Sequence, residues 1–160
     1  MNRQNKERFI KLYTSNLLEK YPSFRGRENT IPPPKLKETG ANDLTRLVIE
    51  FLNINGCQAE RISSQGQFRD GRKVVTDCLG RKRTIGSAIW TKGTSTKGTA
   101  DISATIKGRS VKIEIKWGKD KQSDVQKEYQ LSIEKSLGIY IIVKTFDDFI
   151  IWFDNFLLNL

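Results

Sequence analysis

Two short runs of alternating residues, separated by a glycine, restrict this chain more than any other feature in it. Asp101-Ile-Ser-Ala-Thr-Ile106 and Val111-Lys-Ile-Glu-Ile-Lys-Trp117 flank Lys107-Gly-Arg-Ser110. A period of two sends successive side chains to opposite faces of a strand, and a glycine between two such runs marks a hairpin. On the second run Val111, Ile113, Ile115 and Trp117 share one face, and Lys112, Glu114 and Lys116 share the other. On the first, Asp101, Ser103 and Thr105 belong together. With residues 107–110 as the turn, Ile106 pairs with Val111, Ser103 with Glu114 and Asp101 with Lys116. Asp101 and Glu114 are then diagonal neighbours on one face, roughly 5–8 Å apart at Cβ.

The rest of the chain supplies helices around this hairpin. Residues 1–20 predict a helix with Phe9, Ile10, Leu12, Tyr13, Leu17 and Leu18 on a broad apolar side. Tyr21–Gly40 holds Pro22 and Pro32-Pro33-Pro34 and reads as an extended connector. Residues 1–40 therefore form an arm that packs on its own chain or on a partner, and residues 41–160 form the main domain. Within it, Asn42–Asn53 carries Leu44, Leu47, Val48 and Phe51 at helical spacing, with Glu50 beside that stripe. Gln58–Ser63, Lys73–Thr76 and Gly86–Trp90 read as further strands. Ser123–Leu137 predicts a helix stopped by Gly138, and Ile139–Val143 is a continuous apolar run, the pattern of a strand covered on both faces. Thr145 opens a last helix whose apolar stripe, widened by Ile151, Trp152 and Phe156, exceeds one core contact. The order predicts an α/β fold, a mixed sheet flanked by helices.

Composition narrows the chemistry. The 160 residues suit one domain, and no apolar run approaches the ~20 residues of a membrane span. No secretory signal pattern opens the chain, so a cytoplasmic protein is expected. Histidine is absent, which removes histidine-based nucleophile systems and histidine-ligated metals. Cys57 and Cys78 are too few for an all-cysteine zinc site. Carboxylates, lysines, hydroxyls and oxygen-ligated cations remain, with no organic cofactor implied. The net charge of +10 comes from the middle: residues 61–121 carry 15 Lys/Arg against 5 Asp/Glu. Clustered cations gain from displacing the counterions of a polyanion, so a nucleic-acid partner is expected. Arg61, Arg69, Lys97, Lys119 and Lys121, with Arg81, Lys82 and Arg83, are the candidate phosphate contacts. The few acids within that field call for a bound cation, and a hard divalent ion takes oxygen ligands.

Gly98-Thr-Ala-Asp101, the hairpin and Glu114-Ile-Lys116 resemble the PD-(D/E)XK nuclease signature. Gln126 on a helix, then Leu137-Gly138 and an apolar strand ending in Lys144, are similar to its VRR-NUC branch. Arg61-Ile-Ser with Gly66, Phe68 and Arg69 is similar to that branch's entry strand. The resemblance spans residues 42–150; Ala100 stands where many relatives have proline. It implies a restriction-endonuclease-like mixed sheet and a phosphodiester hydrolase. Asp101, Glu114 and the backbone carbonyl of Ile115 would ligate Mg²⁺ or Mn²⁺, Lys116 would be the catalytic lysine, and Gln126 an accessory catalytic residue. Glu50 matches an acid that relatives often add to the metal shell. Ser123-Asp-Val-Gln126 is also a capping box, so Gln126 has two readings. A domain this small resembles stand-alone phage-type members that act as homodimers on Holliday junctions. A DNA-binding module without cleavage and a restriction-type endonuclease are the alternatives.

Overall fold

The computed structural model describes residues 1–63, 66–91, 93 and 96–159. Helix α1 (Arg3–Lys20) is capped by Asn2, whose side chain accepts from the Asn5 N–H at 2.8 Å. The connector after it is not extended throughout. Pro22 at the first position fixes φ for a single 3-10 turn, Pro22–Phe24, and a second turn spans Glu28–Thr30. Helix α2 (Ala41–Ile54) follows, then β1 (Gln58–Arg61).

Four short strands come next, β2 (Gln67–Asp70), β3 (Lys73–Thr76), β4 (Lys82–Ile85) and β5 (Ala88–Thr91). β2 pairs with β5 and β3 with β4, both antiparallel, making one long two-stranded ribbon. The sequence pattern discloses neither β2 nor β4: the entry strand expected from Arg61 to Arg69 is split, Arg61 ending β1 and Phe68 and Arg69 lying in β2, and Lys82 and Arg83 interrupt any apolar alternation in β4. The chain then returns as β6 (Ile102–Ile106) and β7 (Arg109–Ile115), continues through α3 (Asp124–Lys135) to β8 (Ile139–Val143), and ends in α4 (Phe146–Leu158).

The main sheet is mixed, in the order β1-β6-β7-β8. β1, β6 and β7 run antiparallel in turn, and β8 lies parallel to β7, reached through α3 as a parallel neighbour requires. One face packs on α1, α2 and α4. Ile102, Ala104 and Ile106 from β6 and Val111, Ile113 and Ile115 from β7 are all buried there. Phe51 of α2 anchors this core, its ring 5.5 Å from Phe153 and 5.6 Å from Phe146 in edge-on geometry. Phe9 of α1 is fully buried 6.0 Å from Phe51, and Arg8 forms a bidentate pair with Asp154 of α4 at 2.7 and 2.8 Å. The N-terminal helix therefore packs on its own chain. Among the described residues no helix is long and apolar enough to cross a membrane.

Two expectations are corrected. The β6–β7 turn has two residues, not four: Lys107 and Gly108 adopt φ of 48° and 78°, a left-handed pair suited to a tight hairpin. Ile106 thus pairs with Arg109, Ser103 with Lys112 and Ile102 with Ile113. One step further sets Asp101 opposite Glu114, directly across rather than diagonal. Next, Leu137 and not Gly138 takes the left-handed position ending α3, at φ 59°. Gly138 instead makes a close approach, since a Cβ there would lie 2.8 Å from Ile133 Cγ2. β8 is the edge strand, with α3 against its Tyr140 face and the α4 side of the core against Ile139, Ile141 and Val143, only Ile142 standing 42% exposed.

Candidate active site

The sheet face away from the helical core carries the polar set. Its strand alternation places Asp101, Ser103, Lys112, Glu114 and Lys116 together, and Lys112 Nζ donates to Ser103 Oγ across the strands at 2.6 Å. Asp101 precedes β6 at the point where β1 ends. Its carbonyl accepts from Ile62 N–H at 2.8 Å, and its Oδ2 accepts from Ile115 N–H at 2.9 Å. The tight turn is the cause: it slides the strands until Asp101 and the Glu114–Ile115 peptide face each other.

Glu114 and Lys116 are almost wholly buried, at 2% and 5% exposure. Lys116 Nζ donates to Glu114 Oε1 at 3.0 Å, to Gln126 Oε1 at 3.0 Å and to Asp120 Oδ2 at 3.4 Å. Three acceptors around one nitrogen match an ammonium, which has three donors and no acceptor. Gln126 Nε2 donates to Glu114 Oε1 at 2.6 Å, and Gln126 Oε1 also accepts from Ser123 N–H at 2.9 Å. Both readings of Gln126 therefore hold: the capping box at the start of α3 is present, and the same amide bridges the carboxylate and the lysine. Gly98 sets the distance between the segment leading to Asp101 and this helix. At φ 73° a Cβ on it would stand 2.5 Å from the Val125 carbonyl oxygen.

Two contributors escape the sequence. Tyr140 of β8 lies on the same face, its hydroxyl donating to Glu114 Oε2 at 3.4 Å. The only hint is one hydroxyl within the apolar run Ile139–Val143. Asp120 reaches Lys116 from the loop after β7, a placement no periodicity announces.

Burial pushes the Glu114 carboxyl above its ordinary value, the Lys116 hydrogen bond opposes this, and the charge of Asp101 adds to the rise. Burial pulls the Lys116 ammonium down, but Glu114 and Asp120 outweigh it and hold it above the usual lysine value. Burial, then the charge of Glu114, raises the Tyr140 hydroxyl, which keeps its proton. Two facing carboxylates with one lysine thus form a site short of positive charge.

Two carboxylates of the kind a hard divalent cation takes lie at this site. Asp101 and Glu114 offer oxygen donors, and Mg²⁺ is ordinarily held by one or two carboxylates with waters and phosphate oxygens completing the shell. Among the described residues no group of three or more His, Cys, Asp or Glu is placed to hold a metal ion, so water and phosphate oxygens would have to complete any shell. Thr99 Oγ1, two residues before Asp101, is buried with no partner among the described residues.

The other candidates lie outside this cluster. Glu50 makes no three-carboxylate group with Asp101 and Glu114. It pairs with Arg46 at 3.5 Å and lines a groove of about 410 Å³ with Arg61 and Asn42. Burial raises its carboxyl and Arg46 opposes the rise. Ile115 closes β7 with its side chain in the core. Arg61 ends β1 and donates to Asn42 Oδ1 at 2.7 Å. Arg69 lies on the ribbon opposite Ile89. Lys97 is exposed beside Gly98, and Lys119 and Lys121 are exposed either side of Asp120. Comparison with family models, with curated proteins and with solved structures finds no match to this chain.

Proposed function

We propose that this chain is a metal-dependent endodeoxyribonuclease of the PD-(D/E)XK type, with a restriction-endonuclease-like core of the VRR-NUC branch. The observation that carries the reading is the convergence of Asp101, Glu114, Lys116 and Gln126 on one end of the sheet. Asp101, Glu114 and the Ile115 carbonyl would hold Mg²⁺ or Mn²⁺. When bound, such an ion lowers the pKa of a coordinated water and stabilises charge on a scissile phosphate.

The chain's own groups do the positioning. The Ile115 N–H fixes one oxygen of Asp101. Gln126 and Lys116 fix Glu114 Oε1, and Tyr140 holds Oε2, so both carboxylates are oriented before substrate arrives. Lys116, kept protonated by its three acceptors, serves as a donor that orients the attacking oxygen or neutralises a phosphate oxygen. Lys97, Lys119 and Lys121 flank the site and supply backbone contacts, which position a substrate without reading its sequence.

The substrate class that fits is branched or otherwise irregular DNA, a Holliday junction included, because nothing here resembles a base-reading module. A two-fold dimer would present two such sites to a junction of the same symmetry. The test uses labelled duplex, flap and four-way DNA with Mg²⁺ or Mn²⁺, beside Asp101→Asn and Lys116→Ala. Nicking by the wild type, reduced at least about a hundredfold in both variants, is the expected result. Binding without nicking of any substrate would replace the enzyme with a DNA-binding module. Discrete cuts in plain plasmid DNA, indifferent to branching, would make it a restriction-type enzyme.

A further inference from the structure

Between Ala59 and Ala100 not one described residue is buried. The ribbon formed by β2 to β5 occupies most of this stretch, with every residue of its four strands exposed. A two-stranded hairpin is at best marginally stable alone in water, so a ribbon some ~30 Å long, at about 3.3 Å per residue, is built to lie against something. Its exposed apolar side chains lie on both faces, Phe68, Val74 and Trp90 on one and Val75, Ile85 and Ile89 on the other. Phe68 and Trp90 face each other across the strands, 61% and 64% exposed. The Trp90 ring lies over Gly66, where a Cβ would come within 2.5 Å of its Nε1.

Charge decides the partner. Asp70 is engaged by Arg72, at 2.7 and 2.9 Å, and Asp77 is turned inward to hold the tip. Asp77 Oδ1 accepts from the Leu79 and Arg81 N–H groups, both at 2.9 Å, and its Oδ2 pairs with Arg83 at 3.3 Å. Arg69, Lys73, Arg81 and Lys82 leave a positive outer field. Two such ribbons repel, which argues against a second copy as the occupant, and a polyanion is attracted. Aromatic faces left in water gain from bases that are unstacked, whereas the bases of a regular duplex offer only their edges.

We propose that the ribbon Gln67–Thr91 is a nucleic-acid-gripping arm. Phe68 and Trp90 stack on unpaired bases from one face, while Arg69 and Lys73 on the opposite face and Arg81 and Lys82 towards the tip supply a general attraction for the phosphates. The arm rests on the nucleic-acid part of the proposed function and not on its chemistry. It selects irregular DNA by the exposed base faces found at branch points and single-stranded segments.

The experiment is fluorescence anisotropy with the full chain in EDTA, using single-stranded, duplex and four-way DNA. Phe68→Ala/Trp90→Ala is expected to bind single-stranded and four-way DNA roughly tenfold more weakly and duplex nearly unchanged. Trp90→Phe, which keeps a stacking face, is expected to restore most of the affinity. Circular dichroism should show the same melting in all variants, since the arm lies outside the core. Unchanged affinity overturns the proposal. An equal loss on duplex overturns it in favour of groove binding, and an altered oligomeric state without altered affinity overturns it in favour of a second copy. Binding that depends on the arm in a chain that never nicks would leave this inference standing and remove the catalytic one; nicking with arm-independent binding would do the reverse.

Discussion

Gln126 belongs to two structures at once, the first turn of α3 and the carboxylate–lysine pair, and single substitutions can separate them. Ser123→Ala removes the cap while leaving the Glu114 contact, and is expected to cost about 1 kcal/mol of stability with little loss of nicking. Gln126→Ala keeps the Ser123 Oγ cap on the 126 N–H but loses the amide that bridges Glu114 and Lys116, so it should lose most of the nicking rate; thermal melts beside plasmid-nicking rates check the pair. The types and the shared face of Asp101, Glu114 and Lys116 were legible in the sequence, because a strand's period of two fixes faces regardless of turn length. The pairing was not. A two-residue turn and a four-residue turn keep the same parity, so the face survives while each partner shifts by two residues. Tyr140 and Asp120 were illegible for a different reason: one depends on the parallel register between β7 and β8, the other on the path of a loop.

At the scale of the helices and their ends, α3 carries a strained stop. Leu137 holds φ 59° while 92% exposed, so it accepts left-handed backbone without packing in return. Leu137→Gly is expected to stabilise the chain by about 0.5–1 kcal/mol, read by urea denaturation. The start of α4 contributes a pH dependence. Burial pushes the Asp147 carboxyl up, but the Asn5 side chain at 2.6 Å and the Asn2 N–H at 2.8 Å outweigh it and hold it below the usual 3.8. A depressed carboxyl contributes stability that is present above about 3.8 and disappears as pH falls through the folded value. Asp147→Asn should therefore cost about 1 kcal/mol at pH 7 and nothing once both states are protonated, which melts across pH 2–7 would show. The four helices and β8 were legible from period and capping residues. β4 was not, since its basic run resembles a solvated loop and only pairing with β3 makes it a strand.

For the molecule as a whole, the expected mixed α/β architecture is present, and the N-terminal helix is held on its own chain by Phe9 and Arg8. If the proposed dimer forms, α4 offers its exposed side: Ile151 and Leu158 are 61% and 83% exposed, while the stacked Trp152–Phe156 pair at 5.1 Å packs partly on the core. Light scattering at micromolar concentration is expected to give a dimer, and Ile151→Glu a monomer; a monomeric wild type would remove the two-site arrangement. The antiparallel join of β1 to β6 has a wider meaning. Arg61 pairs with Ile102, and Ile62 bonds to Asp101, so the whole excursion between them leaves and re-enters the scaffold at a single doorway. Such an appendage can be shortened or exchanged for a foreign graft while the floor on which the carboxylates stand keeps its own pairing, so the two parts of the molecule can change on separate schedules.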